Sequence, residues 1–194
     1  AVFPALVFGK LFSDKIDELL ESPTTVAVAL LVGGIILLFV DKLFAKSEID
    51  HEQNLSYKRG FMIGMWQVIA MIPGTSRSAA TIIGGMQQGL TRRFAAEFSF
   101  FLAVPTMAAA TGYKLLKAFK NHPEILKDKT NLAMLGVGNV IAFVVALIAI
   151  KTFIDYLQKN GLKAFGIYRI VTGAIILGLL AAGYIQSGGT PIVH

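Results

Sequence analysis

The chain has 194 residues, of which 55% are hydrophobic and 15% are charged, and its mean hydropathy is +0.65. A soluble domain carries about 25% charged residues, so these values exclude an ordinary soluble protein and indicate one integral membrane domain. The net charge of +6 is typical of loops that face anionic lipid, and no basic run interleaved with aromatic residues supports nucleic-acid binding. Cysteine is absent, which excludes disulfides and thiolate chemistry.

The N-terminal part predicts three elements before the first long connector. Residues 1–9 are apolar but too short to cross a bilayer, so we expect them to be the end of a truncated helix. Residues 10–22 alternate charged and apolar positions, which predicts a short interfacial amphipathic helix. Residues 24–40 carry no charge and form the first predicted span, and a polar connector follows over 41–59.

Residues 60–90 predict a re-entrant hairpin, because their apolar stretch is broken in the middle. The segments 60–72 and 78–90 each provide only about 20 Å of helix, whereas the hydrocarbon core is about 30 Å thick. Irregular backbone at that depth is tolerated only where protein or a wet cavity surrounds it. Pro73 ends the first half-helix and Gly74 allows the chain to turn.

The tip of this hairpin carries groups that bind anions. A helix that begins near Ser78 leaves its first backbone N–H groups unpaired, and Arg77 presents a planar fork that matches two phosphate oxygens. Thr75, Ser76 and Ser78 add hydroxyl donors, and each is a candidate nucleophile if a base stands nearby. The alternative is structural: Ser78 is an ordinary N-cap, and Arg77 is an anchor whose side chain reaches the membrane surface.

Three further spans and two polar loops complete the predicted chain. Pro105 lies inside the second span of the chain and predicts a kink. The fold class is therefore an all-α integral membrane protein, a single domain over 1–194 made of a helical bundle with one re-entrant half-helix hairpin. Such hairpins often occur in inverted pairs, so this hairpin is expected to be one half of an inverted repeat. The spans cover 94–118, 131–153 and 164–185, and the loops cover 119–130 and 154–163.

Three other polar residues lie within apolar segments, and each has two interpretations. Glu97 follows Arg93 by four residues, so it forms either a helical ion pair or a contact that orients Arg77 or a hydroxyl of the tip. Gln67 either points into a cavity beside the tip or makes an interhelical hydrogen bond. Arg169 either extends to the membrane surface or pairs with phosphate.

The motif Pro-Gly-x-Ser-Arg-Ser at 73–78, followed by Ala-Thr-Ile-Ile-Gly-Gly at 80–85, resembles the second signature of the bacterial undecaprenyl-diphosphate phosphatase family, also called the bacitracin-resistance proteins. The family's first signature, an acidic Glu-x-x-x-Glu segment followed by Ser-Ser-Thr-Gly-His, does not occur in these residues. The resemblance therefore implies the C-terminal two-thirds of a family member, without its N-terminal acidic signature. The resemblance continues at 61–64, 96–100, 102–105, 141–153 and 167–169.

The resemblance implies a phosphatase of the bacterial inner membrane that converts undecaprenyl diphosphate to undecaprenyl phosphate and inorganic phosphate. This reaction recycles the lipid carrier of cell-wall synthesis. A divalent cation, Mg²⁺ or Ca²⁺, is implied with ligands outside this chain and none within it. The expected partners are the substrate and the lipid bilayer, with a homodimer left open and no nucleic acid. The expected catalytic residues are Ser76 and Arg77, the phosphate-binding residues are Gly74, Thr75, Ser76, Arg77, Ser78 and Gln67, and Glu97 is the supporting residue.

Two alternative functions remain at this point. Broken helices whose N-termini face an anion also occur in transporters, so the chain could belong to a transporter or flippase of an anionic lipid or a small anion. The other alternative is an inert truncated product that folds poorly. Phosphate release from a prenyl diphosphate in detergent separates the phosphatase from the transporter, because transport has no meaning there.

Overall fold

A computed structural model describes residues 1–12, 19, 22–45, 47–51, 55–121 and 129–184 of the chain. These residues form seven delimited helices, and the one isolated β-bridge among them joins Ile49 to Leu90. The predicted all-α class is confirmed. The helices are α1 (Val2–Leu11), α2 (Pro23–Leu43), α3 (Tyr57–Ile69), α4 (Arg77–Gln87), α5 (Arg92–Asn121), α6 (Lys129–Asn160) and α7 (Lys163–Ala181).

Within the described ranges, four helices are long and apolar enough to cross a membrane: Pro23–Leu43, Arg92–Lys117, Ala133–Asn160 and Lys163–Ala181. Every side chain from 133 to 149 on α6 is exposed, although the stretch is strongly apolar. An apolar surface of this size is unfavourable in water and normal against lipid tails. These helices confirm the prediction of an integral membrane protein.

The predicted loop over 154–163 is wrong, because α6 continues to Asn160. The sequence there is amphipathic: Leu157 is fully buried, whereas Asp155 and Lys159 stay on the exposed face. Charged residues therefore do not end this helix. It ends at Gly161, whose φ of +76° is the left-handed conformation that commonly terminates helices.

The other predicted boundaries move by smaller amounts or lie outside the described residues. α5 extends to Asn121 and α6 begins at Lys129, so the predicted loop over 119–130 is shorter than expected, and residues 122–128 of it are not described. Most of the predicted interfacial helix over 10–22 also lies outside the described residues. In the connector, the backbone N–H groups of Glu48 and Ile49 donate to the Gly89 carbonyl at 3.1 and 3.0 Å, which attaches the connector to the end of α4.

Helices α2 and α7 form a closely packed pair. A Cβ atom built on Gly34 would lie 2.8 Å from the carbonyl oxygen of Gly166, and one built on Gly173 would lie 2.9 Å from that of Ala27. Glycine at these positions lets the two backbones approach each other, the usual way in which membrane helices pack. At one end of the pair, Asp41 forms an ion pair with Arg92, with Oδ1 and Nε 2.9 Å apart, and its Oδ2 accepts a hydrogen bond from the Leu162 backbone N–H at 2.9 Å.

Helices α3 and α4 form the hairpin, which has two short helices separated by residues 70–76. The two helices pack side by side, because a Cβ atom on Gly84 would meet the Trp66 ring at 2.6 Å and Trp66 Nε1 donates to Gln87 Oε1 at 2.7 Å. Residues 80–86 of α4 are all buried. The hairpin is thus enclosed by protein along its second helix, which places its tip among the longer helices.

Candidate anion-binding site

The hairpin tip is a turn stabilised by backbone hydrogen bonds. The Ile72 N–H donates to the Ile69 carbonyl at 3.2 Å, and the Thr75 N–H donates to the Ile72 carbonyl at 3.1 Å. Gly74 has a φ of +86°, and a Cβ atom there would lie 2.5 Å from the Val26 carbonyl oxygen of α2. Only glycine combines this φ with this close approach.

Ser76 is the N-cap of α4, two residues before the predicted helix start. Its Oγ accepts from the Ala79 N–H at 3.4 Å and lies 3.4 Å from Ser78 Oγ. The alternative that Ser78 is the N-cap is therefore wrong. Ser76 also has φ 68° and ψ 110°, a conformation that costs a non-glycine residue roughly 1–3 kcal/mol and persists only where its surroundings enforce it.

Arg77 and Gln67 line the same cavity, which has a volume of about 820 Å³. Gln67 is only 3% exposed, and neither atom of its amide has a hydrogen-bond partner among the described residues. The same holds for the buried Nη1 of Arg77. Buried polar groups are normally paired, so these unpaired groups are available to hydrogen-bond a ligand that binds in the cavity. The remaining lining is mostly apolar: Ala5, Leu6, Gly9, Ala70, Met71, Thr106, Ala109, Ala110 and Tyr113.

Ser76 and Ser78 line a different and smaller cavity of about 240 Å³, together with Arg169. The predicted site residues are therefore divided between the two sides of the tip. Arg77 and Gln67 face the large cavity, and the two serines face the small one. Consecutive residues at the start of a helix point in different directions, which explains the division.

Arg169 does not extend to the membrane surface, so that interpretation is wrong, whereas its pairing with phosphate stays a prediction. It is 7% exposed, and its Nη2 donates to the carbonyl oxygens of Gly74 at 2.6 Å and Ala29 at 3.2 Å. Its Nε is buried without a hydrogen-bond partner among the described residues, and Arg169 lines the small cavity with Ser76 and Ser78. Gly33 on α2 leaves room for this side chain, because a Cβ atom there would lie 2.5 Å from Arg169 Nη2.

Glu97 forms the helical ion pair, which is one of its two interpretations. Its Oε1 accepts from Arg93 Nε at 2.9 Å, and the pair is partly exposed on the surface of α5. The expected contact with Arg77 or a tip hydroxyl is not the contact that the structure forms. The reason is local, because residues four apart on a helix are neighbours on one face.

Thr81 and Ser99 form a buried contact that sequence reasoning missed. Their hydroxyl oxygens are 2.6 Å apart, and Thr81 Oγ1 also donates to the Arg77 carbonyl at 2.9 Å. Both side chains are almost completely buried. The contact joins the first turn of α4 to α5 and thereby supports the backbone that carries Arg77. Two hydroxyl residues in apolar helices were the only sequence signal.

The tip does not fit a divalent cation. Such ions prefer carboxylate and carbonyl oxygens, whereas this tip presents a guanidinium and hydroxyl groups. In the part of the chain that the structure describes, no three His, Cys, Asp or Glu residues come together as a candidate metal site. The donor set suits an anion.

Comparisons with known proteins all point to one protein family. The family model "Bacitracin resistance protein BacA" matches residues 1–175. An undecaprenyl-diphosphatase of Flavobacterium psychrophilum is 57% identical over 177 residues, which are 91% of this chain and 66% of the relative. One from Porphyromonas gingivalis is 50% identical over 186 residues, 94% of this chain and 64% of the relative. The chain spans about two thirds of the length of these curated relatives. It belongs to the BacA family of bacitracin resistance proteins.

Proposed function

We propose that the protein hydrolyses undecaprenyl diphosphate to undecaprenyl phosphate and inorganic phosphate. The observation that carries the proposal is the partly buried Arg77 side chain, whose buried Nη1 has no partner among the described residues and which lines a largely apolar cavity of about 820 Å³. An amphiphilic diphosphate suits such a cavity, because its headgroup takes the free donors and its prenyl chain contacts the apolar walls. The names of the relatives support the same substrate.

In this proposal Arg77 and Gln67 bind the diphosphate headgroup. Phosphoryl transfer depends mainly on positioning and on neutralising the charge of the transferred group. Arg77 supplies a planar, permanently charged donor, and the first N–H groups of α4 add a partial positive charge. Ser76 and Ser78 remain proposed hydrogen-bond donors to the phosphoryl group from the opposite side of the tip, with Gly74 and Thr75 shaping the turn.

The acid–base chemistry requires residues of a different kind. Activating water needs a group that accepts a proton, and the tip holds no carboxylate. We propose that the base and the ligands of a divalent cation, Mg²⁺ or Ca²⁺, come from an acidic hairpin outside these 194 residues, corresponding to the family's first signature. The two hairpins would then form the inverted pair. The ion would supply charge neutralisation to the phosphoryl oxygens.

The cellular role follows from the reaction. The protein would lie in the bacterial inner membrane and return the lipid carrier to cell-wall synthesis. Faster removal of the diphosphate form would protect the cell against bacitracin. The polyprenyl chain would reach the cavity sideways from the bilayer, so that only the headgroup needs to approach the polar tip.

The test is phosphate release from undecaprenyl diphosphate by the full-length gene product in detergent. We expect turnover, and we expect no release from the monophosphate. Arg93→Ala is the matched control for Arg77→Ala, because Arg93 pairs with Glu97 on the surface of α5. Absence of phosphate release from a folded protein would contradict the proposal and favour the transporter. A thermal melt of the 194-residue chain beside the full-length product would test the inert alternative.

A further inference from the structure

Arg169 is held at the point where the α2–α7 pair meets the hairpin tip. Its Nη2 donates to the Gly74 carbonyl of the tip at 2.6 Å and to the Ala29 carbonyl of α2 at 3.2 Å. A single guanidinium group thus contacts three elements: α7, which carries it, α2 and the turn between α3 and α4. Since Arg169 is 7% exposed, these bonds form away from solvent, where bonds to a charged donor are strong.

The Gly74 carbonyl, to which Arg169 is bonded, helps to set the backbone conformation of the tip. The Gly74 carbonyl belongs to the planar peptide that joins Gly74 to Thr75, so its orientation fixes where the next residues begin. Ser76 follows with φ 68°, which persists only where the surroundings enforce it. The Arg169 bond is one such constraint, and the close approach of Gly74 to Val26 is another.

The surrounding chain makes room for this contact. A Cβ atom on Gly33 would lie 2.5 Å from Arg169 Nη2 and 3.2 Å from its Cζ. The guanidinium therefore occupies the space that any larger residue at position 33 would fill. A substitution there would displace the guanidinium while leaving Arg169 itself in the chain.

We infer that Arg169 is a positioning residue for the anion-binding tip: it holds the Gly74 carbonyl so that the start of α4 and Arg77 stay aimed at the bound diphosphate. The inference rests on the proposed function for its kinetic test. Arg169 acts through Gly74 and need not touch the substrate. Its loss should therefore lower the rate of the reaction more than the affinity for the substrate.

The first experiment measures kcat, KM and the folded fraction of full-length variants with undecaprenyl diphosphate in detergent. We expect Arg169→Gln to lower kcat about 10- to 100-fold, because a misplacement of about 1 Å can cost 10²-fold, with KM within about threefold. Gly33→Ala should reproduce part of this loss. Gly178→Ala is the matched control on α7, because nothing lies within 4 Å of its added Cβ, and it should keep the wild-type kcat.

Chemical rescue separates positioning from packing. Arg169→Ala removes the side chain and leaves space for a guanidinium ion. We expect added ethylguanidinium to restore part of kcat in this variant and to have no effect on Arg169→Gln, whose side chain fills more of the space. A purely structural role would instead lower the melting temperature and the folded fraction, with an unchanged kcat per folded molecule and no rescue, and this result would overturn the inference.

A second measurement does not depend on catalysis. Hydrogen–deuterium exchange at the amides of residues 75–80 should be faster in Arg169→Gln than in the wild type and unchanged in Gly178→Ala. Faster exchange in a protein whose wild type releases no phosphate would uphold the positioning role and defeat only the proposed function. Wild-type exchange together with wild-type kcat in Arg169→Gln would defeat the positioning role and leave the function standing.

Discussion

Arg77 is partly buried and Arg169 is buried, and these two arginines on opposite sides of the hairpin tip have different surroundings. Arg169 donates to two backbone carbonyls, those of Gly74 and Ala29. Arg77 has a buried Nη1 with no partner among the described residues and faces a cavity of about 820 Å³. Each guanidinium keeps one buried nitrogen without a hydrogen-bond partner among the described residues, Nη1 in Arg77 and Nε in Arg169. The difference is that Arg169 also binds two backbone carbonyls through its Nη2. The difference distinguishes a residue that holds the tip from one that awaits a ligand.

The energetic reason is the cost of burying charge. A charged group in a membrane or a protein interior is unfavourable unless it is paired and hydrogen-bonded. For Arg169 the two carbonyls bound to Nη2 offset part of this cost in the folded protein itself. For Arg77 we expect a bound anion to offset the cost, so that the arginine contributes binding energy at the phosphoryl group. The predictions below test this contrast.

The largest effect should come from Arg77→Ala. We expect phosphate release to fall at least about 10²- to 10³-fold, as is typical when a charge-stabilising donor is removed. The melting temperature should not fall, because the substitution removes a partly buried charge whose Nη1 has no hydrogen-bond partner among the described residues. Both quantities are measured on the full-length product in detergent, beside Arg93→Ala. Wild-type turnover in Arg77→Ala would refute the assignment.

Gly74→Ala should destabilise the turn at the hairpin tip, whose Gly74 carbonyl is bound by Arg169. The substitution forces alanine into φ +86° and places its Cβ 2.5 Å from the Val26 carbonyl. We expect a loss of roughly 1–3 kcal/mol in the free energy of unfolding, measured by denaturation in detergent. Gly136→Ala is the control, because nothing lies within 4 Å of its added Cβ. Equal stability of the two variants would show that the tip adapts freely.

Gln67→Leu should separate binding from stability. Leucine has a similar size and removes two buried polar atoms that lack partners among the described residues. We therefore expect an unchanged or higher stability, by up to about 1 kcal/mol, together with a roughly tenfold higher KM from the lost hydrogen bond. Gln158→Leu, at an exposed position of α6, should change neither. A lower stability with an unchanged KM would mean that the amide has a structural role.

Glu97→Ala should have the smallest effect. The Glu97–Arg93 pair is partly exposed, and such pairs contribute about 0–1 kcal/mol. We expect a change of less than about 0.5 kcal/mol in stability and an unchanged kcat. Loss of activity in this variant would restore the hypothesis that Glu97 orients Arg77.

Some features of the site could be predicted because they depend on neighbouring residues. Pro73 and Gly74 interrupt an apolar stretch, so the break followed from local backbone chemistry. Arg77 was recognisable as a charge at a helix start between short apolar segments. The sequence did not decide the role of Glu97, because an ion pair with Arg93 four residues earlier and a contact with Arg77 or a tip hydroxyl were both compatible with its position.

The sequence by itself determined that the chain is an all-α membrane protein with a polar break in one of its apolar segments, since composition, helix length and turn residues are properties of short stretches. The tertiary structure alone decided that Arg169 holds the Gly74 carbonyl, that Thr81 meets Ser99, and that Arg77 and Ser76 face different cavities. Each of these contacts joins residues on different helices or depends on how helices pack around the tip. Such proximity arises from the packing of the whole bundle, and no local pattern encodes it.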